Sequence, residues 1–306
     1  MTTLVFGHKS PDTDATGSAI IWAWYLAHTG EEAEPRVLGT PSAEALFVLD
    51  RWGVAVPPLL ENLPEGTPVV VVDTNNPAEL PDGINKADIR AVIDHHKLTG
   101  GLETRGPIEM TIRPVASTAT LLYQLMDGHA GHAPEAIKGL ILSCILSDTL
   151  EFRSPTTTEV DRRIAGLLAR DLGIDIPAYA AEMFAAKSDV SGLSDAELLR
   201  IDSKEYTVDG VRLRVAVIET TAPEPILARI AGLAAAMPQV AAEDDADQVL
   251  LFVVDILREQ ATLVTPNALA RTIAEKSFGV SATGDSVLLP GVMSRKKQIV
   301  PVLRVN

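Results

Sequence analysis

The chain has 306 residues, and its 26 lysines and arginines against 41 aspartates and glutamates leave a net charge of −15. A broad positive surface for nucleic acid is thereby excluded, so any cationic binding patch has to be local. At 46% hydrophobic and 22% charged residues the composition is that of a soluble globular protein, and at roughly 150 residues per domain the length suggests two domains.

Leu4-Val5-Phe6 reads as a first strand, followed by a helix over Thr13–His28 with Asp12, Thr13 and Asp14 able to cap it. A short strand near Arg36–Leu38, a helix near Ser42–Arg51 and the run Val69–Asp73 come next, the last too apolar for anything but a buried parallel strand. Ile89–Asp94 is a further strand, and Ser117–Met126, Pro134–Leu146, Thr157–Arg170 and Ala178–Ala186 carry helical spacing. Strands alternating with helices in this way predict an α/β unit with a mainly parallel sheet flanked by helices over residues 1–187. The small and polar residues of 188–194 read as a hinge linker.

A smaller, mixed α/β domain is expected over 195–306. Glu205–Val208 and Val211–Ile218 alternate at period two across Asp209-Gly210, a hairpin signal. Ile226–Met237 and Leu269–Lys276 read as helices, and Val249–Asp255, Ala261–Val264, Val287–Leu289 and Ile299–Leu303 as strands. The acidic stretch Glu243–Asp247 reads as a solvated connection. The single cysteine, Cys144, rules out an internal disulfide framework and, within the apolar run Gly139–Ser147, reads as an inert packed thiol. No signal-peptide pattern opens the chain and no run reaches the ~20 apolar residues of a membrane span, so a cytoplasmic protein without a membrane partner is expected.

Acidic and histidine residues gather at strand ends. Gly7-His8-Lys9-Ser10-Pro11-Asp12-Thr13-Asp14 follows the first strand, Asp73 closes the second buried run, and Asp94-His95-His96-Lys97 closes the third, while Asp148 ends the apolar segment Ile145-Leu146-Ser147. In a parallel sheet the carboxyl ends of strands converge on the crevice where ligands bind. Carboxylates and imidazoles without a thiolate suit Mn²⁺, Co²⁺ or Mg²⁺ better than structural zinc. Six or more such ligands exceed what one ion needs, and two ions about 3.5–4 Å apart are the arrangement that serves displacement at phosphorus. In the C-terminal half, Arg295, Lys296 and Lys297 form a local cationic site in a turn-rich loop, suited to phosphate oxygens.

His8, Asp12, Asp14, Asp73, Asp94-His95-His96 and Asp148 resemble the motifs of the DHH phosphoesterase superfamily, named for that triplet. Ser294-Arg295-Lys296-Lys297-Gln298 is similar to the signature of its manganese-dependent family II inorganic pyrophosphatases, and the resemblance covers essentially the whole chain. The resemblance implies an active site in the cleft between the two domains, with two Mn²⁺ or Co²⁺ ions per subunit and Mg²⁺ arriving with pyrophosphate. It makes His8, Asp12 and Asp73 ligands of one ion and Asp14, Asp73, His95 and Asp148 ligands of the other, with Asp73 bridging. His96 is implied to assist the leaving phosphate as a proton donor, Lys204, Arg295 and Lys296 to hold phosphate oxygens, and Asp94 to orient a histidine. A homodimer through edge strands of the N-terminal domain is also implied.

The chain departs from the family pattern at Thr74-Asn75-Asn76, where many relatives carry histidine after the aspartate, and it has no room for an inserted nucleotide-binding module. His28, His129 and His132 read as surface residues. The rival expectations are an exopolyphosphatase or oligonucleotide phosphodiesterase with the same metal centre, and a catalytically silent phosphate or nucleotide sensor.

Overall fold

Val69–Val72 are β-branched and wholly buried, as the middle strand of a parallel sheet requires. In the computed structural model, which describes residues 1–188, 190 and 192–305 with every side chain but that of Lys296, they belong to the strand Pro68–Val72. The chain divides into two compact units, Met1–Ala186 and Lys187–Asn306. Of the linker expected at 188–194, Asp189 and Ser191 lie outside the described residues.

In the first unit β1 (Thr3–Phe6), β2 (Ala33–Pro35), β3 (Pro68–Val72), β4 (Asp88–Asp94) and β5 (Glu109–Ile112) form one sheet in the order β2-β1-β3-β4-β5, every pair parallel. The order reverses between β1 and β3. Connections leaving those two strands diverge and open a crevice at their carboxyl ends. Helices α1 (Thr13–His28), α2 (Ala43–Arg51), α3 (Thr118–Leu125), α4 (Glu135–Thr149), α5 (Glu159–Leu172) and α6 (Ile176–Lys187) complete the unit. Both α1 and α4 are apolar nearly all round and are buried against one another. A Cβ on Gly7 would stand 2.7 Å from the Ala15 Cβ, so the β1–α1 turn closes only because residue 7 is glycine. Cys144 is buried, with its Sγ 3.3 Å from the Thr13 carbonyl, which agrees with an inert thiol.

The second unit holds α7 (Asp195–Leu198), β6 (Ser203–Val208), β7 (Val211–Thr220), α8 (Glu224–Leu227), α9 (Ile230–Glu243), β8 (Gln248–Asp255), β9 (Gln260–Val264), α10 (Ala268–Phe278) and β10 (Ser286–Pro290). Its sheet runs β10-β9-β8-β7-β6, antiparallel except for the β7–β8 pair. Asp209 and Gly210 both have positive φ, 51° and 83°, as the two-residue hairpin turn between β6 and β7 demands. Because side chains alternate along β8, Leu250, Phe252 and Val254 meet α10 while Val249, Leu251 and Val253 meet α9, and the strand is buried on both faces.

Several expectations need correction. The second strand lies at Ala33–Pro35 rather than Arg36–Leu38: its pairing with β1 closes with the Arg36 N–H on the Val5 carbonyl at 2.8 Å, and Val37 makes only an isolated bridge to Leu59. Strand β5 was not anticipated. Ile299–Leu303 is no strand: Arg295–Ile299 forms a short π-helix and Val300–Val302 a 3₁₀ turn, with Ile299 and Leu303 buried at helical spacing beside Pro301. The helix expected at Ile226–Met237 is two helices, the second running through Pro238. Nor is the acidic stretch merely solvated, since Asp244 pairs with Arg200 and Arg214, and Asp247 with Arg212. Finally, α4 continues to Thr149, so Asp148 occupies the last turn of a helix and not a strand end. Among the described residues no helix is long and apolar enough to cross a membrane.

Candidate metal centre

The crevice beyond β1 and β3 receives His8, one residue past Gly7, and Asp73, the first residue after β3. Asp73 has φ 59°, in the left-handed region that aspartate tolerates better than most side chains, and its N–H donates to the Ile93 carbonyl at 2.9 Å. Asp12 caps α1 by accepting from the Ala15 N–H at 2.9 Å, and Asp14 lies in the first turn of that helix. Asp94 ends β4 and places His95 and His96 on the next two positions. Asp148 is fixed where α4 stops: Leu150, Glu151 and Phe152 turn successively left-handed, and Arg162 covers the Phe152 ring while donating to its carbonyl.

These residues meet in three groups whose ligand atoms lie within 4.8 Å of one another: His8 with Asp12 and Asp73, Asp14 with His95 and Asp148, and Asp73 with His95 and His96. His8 Nε2 stands 3.8 Å from Asp12 and 3.6 Å from Asp73 Oδ2, while His95 Nε2 stands 3.3 Å from Asp73 Oδ1 and 3.8 Å from Asp148. The two oxygens of Asp73 therefore face different histidines. His95 Nδ1 lies 3.1 Å from the Val115 carbonyl, which fixes Nδ1 as the donor and leaves Nε2 to ligate. His96 donates from Nδ1 (2.9 Å) and from its backbone N–H (3.0 Å) to Asp94 Oδ1. Asp94 is thus the partner that orients His96. A cavity of about 540 Å³ opens beside the cluster, lined among others by His8, Lys9, Ser10, Thr74, His96 and Lys97.

The charges explain one another. Burial works against protonated His8, but hydrogen bonds and charge from Asp12 and Asp73 outweigh it and push the imidazole up to about 10. His95, likewise opposed by burial and favoured by Asp73 and Asp14, is pushed up to about 9. Asp73 is held well below the usual carboxylate range, since its bonds to His8 and His95 overcome its burial. Burial, then the charge of Asp73, raises Asp14 to about 7, and burial with Asp14 and Asp73 pushes Asp148 well above its ordinary value. Several carboxylates that repel one another in one crevice, with imidazoles and no thiol, are the donor set of a hard or borderline divalent cation such as Mn²⁺.

Residues 2–148 match the DHH family N-terminal domain and residues 181–305 the DHHA2 domain. A Deinococcus radiodurans protein named "Probable manganese-dependent inorganic pyrophosphatase" is 43% identical over 305 residues, spanning 98% of this chain and 96% of its own length. The chain belongs to that pyrophosphatase family. A Brevibacillus brevis protein of the same name is 36% identical over 98% of this chain and 96% of its own. Among solved structures, a Methanococcus jannaschii protein assigned to the family II inorganic pyrophosphatases matches with a TM-score of 0.63 at 33% identity, covering 98% of this chain and 97% of that one. A Bacteroides fragilis exopolyphosphatase-related protein, at 15% identity and a TM-score of 0.52 over 97% and 89% of the two chains, shares the fold.

Within this pyrophosphatase family member, the cations expected to meet substrate lie on the second unit. Lys204 is exposed on β6 opposite Val215. Arg295 donates to the Asp202 carbonyl at 2.8 Å and pairs with the Asp202 carboxylate at 2.8 Å, two residues from Lys204. The side chain of Lys296 lies outside the described residues. His28, His129 and His132 are exposed, as expected, although the rings of His28 and His129 approach to 5.4 Å. Sequence reasoning missed the supports of the cluster. Ser117 Oγ, Thr118 N–H and Ala119 N–H donate to Asp14 at 2.9, 2.6 and 3.2 Å, and Thr118 Oγ1 donates to Asp73 at 3.0 Å. Ser117 was legible as a helix cap, but nothing local shows that the helix start it caps faces Asp14. Asn75, part of the stretch that departs from the family pattern, donates to Asp94 Oδ2 at 2.5 Å and to the Lys97 carbonyl, and accepts from Thr99, so it ties the loop after β3 to the loop carrying His96.

Proposed function

We propose that the chain hydrolyses inorganic pyrophosphate to two phosphates at a pair of Mn²⁺ ions, with Co²⁺ as an accepted substitute and Mg²⁺ brought by the substrate. The observation that carries this reading is the Asp73 carboxylate, whose Oδ2 faces His8 and whose Oδ1 faces His95, the disposition of a bridging ligand. His8, Asp12 and Asp73 would hold one ion, and Asp14, Asp73, His95 and Asp148 the other. Two such ions supply an acidified water as nucleophile and neutralise charge on phosphate oxygens. His96, its Nδ1 anchored by Asp94, presents Nε2 as proton donor to the leaving phosphate. Lys204, Arg295 and Lys296 bind phosphate oxygens, with residues 195–306 as the substrate-binding domain, 188–194 as its hinge and 1–187 as the catalytic domain.

The same reading makes the protein a cytoplasmic homodimer that acts on neither nucleic acid nor membranes. Its net charge of −15 speaks against nucleic acid. The dimer is supported by β5, an edge strand whose Met110 is 43% exposed. Protein stripped of metal and reloaded with Mn²⁺, Co²⁺, Mg²⁺ or Zn²⁺ tests the proposal through phosphate release from pyrophosphate, long polyphosphate and a short oligonucleotide. The expected result is turnover of pyrophosphate alone, fastest with Mn²⁺ or Co²⁺. Silence on pyrophosphate with turnover of a longer substrate overturns it.

A further inference from the structure

Helix α5 opens with a capping box: Thr158 Oγ1 accepts from the Asp161 N–H at 3.4 Å, and the Asp161 carboxylate accepts from the Thr158 N–H at 2.8 Å. Such a carboxylate ordinarily keeps its remaining lone pairs in water. Asp161 is instead fully buried, and it reaches across more than forty residues of sequence to accept from the Ala116 N–H (3.2 Å) and from Thr120 Oγ1 (2.6 Å). A buried carboxylate is tolerated only when its acceptors are filled, and here the Thr158 hydroxyl, which donates to Asp161 Oδ2 at 2.6 Å, and the two groups of the distant segment, Ala116 and Thr120, fill what the backbone cap leaves open.

Ala116 and Thr120 bracket the start of α3. Several of that segment's other polar groups turn to the metal cluster: Val115 through its carbonyl on His95, Ser117 and Ala119 on Asp14, and Thr118 on both Asp14 and Asp73. It touches neither His8 nor Asp12 in these bonds. One side of the segment is pinned by Asp161, and the other sets the direction of three carboxylate or imidazole groups.

We propose that Asp161 is a positioning residue of the metal centre, acting through residues 115–120 to aim Asp14 and His95. The inference rests on the reading of those residues as metal ligands. Groups that orient ligands in this way typically change metal affinity 10- to 100-fold when replaced. An amide at position 161 keeps the shape but turns one acceptor into a donor that faces other donors, so the segment has to shift.

The test is calorimetric titration of Mn²⁺ into the metal-free full-length protein, for the natural chain, Asp161→Asn, Thr120→Val and Thr158→Ala. Thr120→Val removes a bond on the α3 side, and Thr158→Ala removes the cap of α5 and one donor to Asp161 Oδ2 while leaving the bonds from Ala116 and Thr120. Asp161→Asn is expected to weaken the site built on Asp14 and His95 about tenfold and the His8–Asp12 site much less, with activity recovered in excess Mn²⁺. Thr120→Val is expected to show the same pattern more weakly, and it carries the test should Asp161→Asn not fold. Unchanged Mn²⁺ affinity in Asp161→Asn or, failing that, in Thr120→Val overturns the proposal, as does an equal loss in Thr158→Ala, where the bonds to Ala116 and Thr120 survive and the effect would belong to the start of α5 instead of residues 115–120. Failure of the natural chain to bind Mn²⁺ is a separate outcome and overturns the metal reading together with this inference.

Discussion

Loading Mn²⁺ into the metal-free protein at pH 7 should release about three protons per chain. His8, pushed up to about 10, and His95, pushed up to about 9, are both protonated at that pH, and each must surrender the Nε2 proton to become a ligand. Asp14, at about 7, holds half a proton, and Asp148, pushed well above the usual carboxylate range, shifts the count upward. Asp73 is already ionised and contributes none. Protons compete with Mn²⁺, so affinity rises with pH, by about 1.4 kcal/mol per pH unit for each proton released. Calorimetric titrations in buffers of different ionisation enthalpy read the number as the slope of heat against buffer enthalpy. A release of less than one proton would refute the reasoning, because either the histidine–aspartate pairs would not be ion pairs or these side chains would not be the ligands.

Asp73→Asn should lower turnover on the order of a hundredfold or more, whereas Lys297→Ala leaves it within a few fold; equal activities in a metal-controlled assay would contradict the bridging role. If Arg295 binds a phosphate oxygen, as proposed, the Asp202 carboxylate competes for its guanidinium, so Asp202→Asn removes a competitor worth up to about 1 kcal/mol and should lower KM two- to fivefold, a raised KM showing instead that Asp202 orients the guanidinium. KM should climb with ionic strength as the cations of the second unit are screened, and a flat profile would exclude them from binding. Gly7→Ala forces a methyl against Ala15 and should destabilise the metal-free protein by about 1–3 kcal/mol, read as a lower midpoint in thermal denaturation.

What could be read in advance follows physical range. The helix Thr13–His28 and the β6–β7 hairpin rest on periodicity and on capping or turn residues within a few positions, and the structure places both as expected. The acidic and histidine residues that follow β1, β3 and β4 could be assigned to one crevice because a parallel sheet gathers the ends of its strands, whatever their separation in sequence, whereas Asp148 reaches the crevice from the end of α4. Expectation and structure part where a local signal is ambiguous. Ile299–Leu303 is apolar enough for a strand, but Pro301 and helical spacing of its buried residues decide otherwise. Residues 115–120 announce a helix cap at Ser117 but no metal chemistry; their part in the site lies in contacts with Asp14 and Asp161, which only the fold creates.

The cluster is also where ordinary folding rules are broken together, and the breaks share one cause. Asp73 adopts a left-handed backbone that costs most side chains roughly 1–2 kcal/mol, and glycine, which would relieve it, has no carboxylate to offer. Asp14 is fully buried beside other carboxylates, and the groups that make this bearable are the first N–H groups of α3, the positive end of a helix. That support reduces the repulsion without removing it, since Asp14 still sits near 7 and Asp148 well above its usual range. A divalent cation removes the remainder. The fold therefore gathers carboxylates whose charge, in the metal-free protein, is met in part by protons on the same cluster, and the proton count on loading measures how many of those protons the metal displaces.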